Sequence, residues 1–111
     1  MTMDAIWANR PTLLWEERLN DGDDMYTLSG IRAVDAALHQ YVTTLSHSDG
    51  TETSIRTAVR DLVLRLNELD EAYDYFIETM EREELYDFIK AGAALVGYET
   101  EDDMTEEWRE W

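Results

Sequence analysis

The 111-residue chain contains no cysteine, a single proline (Pro11), a single lysine (Lys90), and only two histidines, His39 and His47. Without cysteine there is no disulfide scaffold, no thiol nucleophile and no thiolate-bound zinc or iron–sulfur centre. Two histidines outside an HExxH arrangement supply a zinc site poorly. No run approaches 18 consecutive apolar residues, and the start Met1-Thr2-Met3-Asp4 lacks the basic and apolar segments of a secretion signal. These absences predict a cytoplasmic protein with no membrane contact. The five glycines form neither a P-loop nor a dinucleotide fingerprint. His47-Ser48-Asp49 contains the residue types of a catalytic triad, but adjacent residues do not set up its hydrogen-bond chain. No catalytic residue is assigned.

Acid is abundant. Twenty-six Asp and Glu against nine Lys and Arg leave a net charge of −17, while 44% hydrophobic residues are enough to build a core. Phosphate and anionic lipid repel such a surface, so direct nucleic-acid binding is not expected and a basic protein is the natural partner. The alternative is a salt-adapted surface that needs no partner.

Two turn-rich segments, Asn20–Asp24 and Ser46–Gly50, divide the chain. Between them Ile31, Val34, Leu38, Tyr41, Val42 and Leu45 recur at helical spacing behind Ser29, a candidate cap. A longer stripe starts near Thr51 to Thr53 and runs through Ile55, Val59, Leu62, Leu66, Leu69, Tyr73, Phe76, Ile77 and Met80. The phase shifts around Glu81, which predicts a break there and a third helix over 82–96 closed by Gly97. Pro11 suits the first turn of a short helix carrying Leu13, Leu14 and Leu19. The expected fold is all-α, a small bundle of three main amphipathic helices plus short terminal helices. One acidic helical domain spans 1–111, with 98–111 as an acidic tail, either flexible or docked.

The acidity is uneven. Residues 1–67 carry ten acids and six bases; residues 68–111 carry sixteen acids and three bases. On a continuous helix Asp70, Asp74, Glu78 and Glu81 share one face, where like charges oppose one another. Residues 70–87 carry a net −7, or one charge per roughly 4 Å of helix, against about 3.4 Å in a DNA strand. This suggests a phosphate-like rail for a basic cleft, with Asp70, Asp74, Glu78, Glu81 and Glu84 supplying charge. Tyr75 and Trp108 are candidate aromatic anchors, although Trp108 also suits a tail folded back onto the bundle.

The function expected from this pattern is stoichiometric binding to a basic partner, such as a nuclease or nucleic-acid-binding protein, as an inhibitor. Immunity, anti-restriction and anti-CRISPR proteins, some of them nucleic-acid mimics, share this physical description. A second reading starts from Glu68-Leu69-Asp70-Glu71 and Glu84-Leu85-Tyr86-Asp87. The spacing resembles the ExxE and ExxD pair of the all-α MazG-type nucleoside triphosphate pyrophosphohydrolases, over 20 of 111 residues. That resemblance implies Glu68, Glu71, Glu84 and Asp87 as magnesium ligands; otherwise no cofactor is expected. A third reading is an assembly protein that forms homo-oligomers through its less charged N-terminal half.

Overall fold

The structure, a computed structural model, describes residues 2–111. Among them the chain forms five helices and no strand: α1 (Met3–Ala8), α2 (Pro11–Asn20), α3 (Leu28–Ser46), α4 (Glu52–Ala72) and α5 (Thr79–Leu95). The fold is an all-α bundle in which α3, α4 and α5 are the main elements. None of the described helices is long and apolar enough to cross a membrane.

Local chemistry sets most helix ends. Pro11 opens α2, where its missing N–H costs nothing. Thr27 caps α3 by accepting the Gly30 N–H at 3.0 Å, so the cap lies two residues before the expected Ser29. Thr51 caps α4 by accepting the Ser54 N–H at 3.2 Å, where the periodicity predicted a start. At the far end of α5 the Tyr98 N–H reaches the Ala93 carbonyl and the Gly97 N–H the Ala94 carbonyl. This is a Schellman closure, and it requires the left-handed φ of +104° that Gly97 supplies.

α3 and α4 form the most extensive pair, α2 lies on α3, and α5 packs against α1, α2 and α3. The stripes meet in one core, which includes Ile31, Val34, Leu38 and Leu45 of α3, Ile55, Val59, Leu62, Val63 and Leu66 of α4, and Leu85 and Ile89 of α5. Gly92 lets α5 approach α3 closely: a Cβ there would lie 3.0 Å from a Leu45 methyl and 3.1 Å from the Tyr41 ring. Tyr41 uses that approach to donate its hydroxyl to the Ile89 carbonyl at 2.8 Å. Burial pushes the Tyr41 hydroxyl pKa up, so it stays a donor.

Three expectations need correction. α4 ends at Ala72 and α5 begins at Thr79, so the break lies at 73–78 rather than near residue 81. Phe76 and Ile77 are buried as the periodicity implied, but they enter the core from a non-helical segment, and Met80 is exposed rather than in the stripe. In α2 the apolar anchor is Trp15, which is fully buried, while Leu13 and Leu14 face outward.

Candidate functional site

The acids of residues 70–87 do not form a single rail, because the backbone turns in their midst. At the end of α4 the Tyr75 N–H donates to the Asp70 carbonyl at 2.7 Å and the Tyr73 N–H to the Leu69 carbonyl at 3.0 Å. The closure needs a left-handed residue, and the position usually held by glycine is Asp74, with φ 64°. Tyr75 follows at φ 56°. An aspartate tolerates this region, whereas a bulky aromatic there is strained. Such strain costs about 1–3 kcal/mol and is concentrated at functional sites.

Three of the acids assigned to the rail face inward. Asp70 is buried and accepts the Ile77 N–H at 2.9 Å; burial pushes its carboxyl above the usual range despite that bond. Glu81 is buried, accepts the Tyr26 hydroxyl at 3.0 Å and the Glu78 N–H at 3.2 Å, and lies 3.6 Å from Arg18. Glu84 receives the Arg18 fork at 2.8 and 2.7 Å and the Trp15 indole N–H at 3.2 Å. The bidentate Glu84 bond holds the Arg18 guanidinium firmly protonated. Desolvation, with the Glu81 bond added and Arg18 opposing, pushes the Tyr26 hydroxyl up to about 12. This network ties α2 and the α2–α3 loop to α5, and its acids are committed within the fold.

What remains outside forms a different surface. Tyr73 packs over Gly30, and Met25, Tyr26 and Thr27 share a crevice with Tyr73 and Phe76, so the 21–27 and 73–78 loops meet at one end of the bundle. That end exposes four large apolar side chains, Met25, Leu28, Tyr75 and Met80, with Tyr75 the most exposed at 64%. Asp21, Asp24, Glu71, Asp74 and Glu78 are exposed in the same two loops and their flanks. Among the described residues none of these five acids takes part in an ion pair. Asp74, Tyr75 and Glu78 were anticipated from sequence. Met25, Leu28 and Met80 were not, since Met80 matched the buried period and the other two sit where a turn gives way to a helix.

Trp108 lies elsewhere. The Asn67 amide donates to the Trp108 carbonyl at 2.8 Å and accepts the Glu110 N–H at 3.0 Å, which fixes the tail along α4. The Arg56 guanidinium stands 5.9 Å from the Trp108 ring centre, and Trp111 is buried. Residues 98–111 are thus a docked tail, with Trp108 packed on the bundle.

The four residues of the MazG-like pattern do not converge. Glu68 pairs with Arg65 at 3.3 Å, Glu84 is held by Arg18, and Glu71 and Asp87 are exposed. Among the described residues no group of three or more His, Asp or Glu side chains is placed to hold a metal ion. No protein-family model, curated protein or solved structure matches the chain. The fold and the site define an acidic helical protein with a mixed apolar and acidic loop end.

Proposed function

We propose that this protein acts by stoichiometric binding to a basic protein partner through the loop end of its bundle, as an inhibitor of a nucleic-acid-binding or nuclease surface. The observation that carries this reading is the concentration of four exposed apolar side chains among five unpaired acids at that end. Interfaces draw affinity from desolvated aromatic and aliphatic anchors and draw encounter rate from complementary charge. Tyr75 is the central anchor, presented by a left-handed backbone that holds it outward. Asp74 and Glu78 flank it and steer arginine- or lysine-rich surfaces toward it. The likeness to immunity, anti-restriction and anti-CRISPR proteins is one of size, charge and architecture.

The test is capture of partners from a native lysate at low and moderate salt, followed by association kinetics with the recovered protein. Asp74→Lys with Glu78→Lys is expected to slow association by about tenfold or more at low salt and to flatten its salt dependence. Tyr75→Ala is expected to act on dissociation instead. A partner that binds the charge-reversed chain as fast as the native one would remove this surface from the mechanism.

A further inference from the structure

A second surface, remote in chemistry from the loop end, lies on the outer face of α3 and α4. There a groove of about 480 Å³ has an apolar part formed by Ala33, Ala36 and Ala37 of α3 and by Ala58, Leu62 and Leu64 of α4, and polar and charged side chains of the same two helices make up the other half of its wall. Leu64 is 42% exposed at its edge. The charged residues beside Leu64 are Arg60, Asp61, Arg65 and Glu68, two of each sign, on a molecule whose net charge is −17. Most of the remaining surface would repel a second copy; this strip would not.

We infer that the α3–α4 face is a homodimer interface, with α4 packed antiparallel against α4 of the partner subunit about a two-fold axis near Leu64. The charge order carries the inference. An antiparallel two-fold through Leu64 sets Arg60 opposite Glu68 of the partner subunit, because the two positions lie four residues on either side of the axis. It brings Asp61 within two residues of Arg65 of the partner subunit, about 3 Å of helix rise and within side-chain reach. An isologous contact needs this self-complementarity, since each pair must occur twice. Leu64 of each copy is then the knob offered to the small-residue groove of the other, where alanines permit close helix approach.

The pairs that must be exchanged are weak. Arg60 meets Asp61 at 3.1 Å and Arg65 meets Glu68 at 3.3 Å, all four side chains being 47–69% exposed. Exposed pairs of this kind contribute about 0–1 kcal/mol and are readily given up for partners in a drier interface. Of the loop-end acids only Glu71 shares this face of α4, opposite Thr57 of the partner subunit, while Asp74, Tyr75 and Glu78 lie beyond the end of α4, so dimerisation leaves the centre of the proposed partner surface open.

Sedimentation velocity from micromolar to millimolar protein tests this, at an ionic strength of about 0.15 M that limits the range of the general repulsion to about 8 Å. A concentration-dependent dimer is expected, and Leu64→Lys is expected to leave only monomer with unchanged helical circular dichroism. Arg60→Glu alone and Glu68→Arg alone should each weaken association by about tenfold or more, since each sets like charges opposite one another. The two together should restore it. A native chain that stays monomeric throughout, a dimer indifferent to Leu64→Lys, or a double variant no better than the singles would overturn the assignment.

Discussion

A buried carboxylate that accepts one backbone N–H is poorly solvated when ionised, and Asp70 is in that position. Burial raises its pKa more than the Ile77 bond lowers it. A folded value above the unfolded one means that the group favours the fold below the unfolded carboxylate pKa of about 3.9, and that this contribution is lost as pH rises through the folded value. At neutral pH Asp70→Asn keeps an oxygen for the Ile77 N–H and removes the charge, so its stability should equal or exceed that of the native chain. Asp70→Ala leaves the same N–H unsatisfied and should cost about 1–3 kcal/mol. Denaturant unfolding of both variants at pH 7 checks this; equal stabilities would mean that the bond does not hold the turn. The residue also shows a limit of reading sequence. Asp70 and Asp74 are four apart, which on a helix makes them neighbours. The left-handed φ values of Asp74 and Tyr75 separate them, and an aspartate marks that conformation far more weakly than a glycine while a tyrosine does not mark it at all.

Helix by helix, the bundle was legible where apolar period and end signals agreed. Thr51, Pro11 and Gly97 each act at a boundary for a stereochemical reason, and the α3 and α4 stripes form the core as spaced. The α4–α5 break was not legible, because Tyr73, Phe76 and Ile77 keep three- and four-residue steps through a segment that is not helical. Phe76 and Ile77 return to the core by turning, so burial persists after the helix has ended. The clamp between α2 and α5 was equally hidden, since Arg18 and Glu84 are 66 residues apart. Removing one partner of a buried pair costs about 3–5 kcal/mol. With the Arg18 and Glu84 side chains 25% and 18% exposed, Arg18→Ala should fall near the lower end, about 3 kcal/mol. Arg18→Met combined with Glu84→Met should recover only part of that loss, because the buried Glu81, 3.6 Å from Arg18, is then left without its cation. A double-mutant cycle on thermal unfolding measures the coupling; additive losses would show that the clamp is not a unit.

For the whole molecule, charge is divided between acids committed to the fold and acids left free. The radius of gyration of 13.5 Å matches the roughly 13 Å of a compact chain of this length, so the acidic tail adds no extension. Within the tail Asp103 accepts the Thr105 hydroxyl and N–H and meets Arg109 at 2.6 Å, which fixes the tail's own turn, while Asn67 ties that turn to α4. Burial works against the Asp103 carboxylate, but these bonds outweigh it and hold its pKa below the usual value. A depressed folded pKa contributes stability above the unfolded value of about 3.9, and that stability is lost as pH falls through the folded value. The same acidification brings the chain to its isoelectric point near 4.1, where its net charge and with it the overall self-repulsion vanish. Acid therefore loosens the tail while relieving the bundle, and the two should separate on titration. Amide exchange in residues 103–110 should accelerate as the pH drops below about 4 while the α3 and α4 core stays protected. Asp103→Asn should weaken tail protection already at neutral pH and remove the acid step. Simultaneous loss of tail and core protection would mean that the tail is held by the apolar contacts of Trp108 and Trp111 rather than by Asp103.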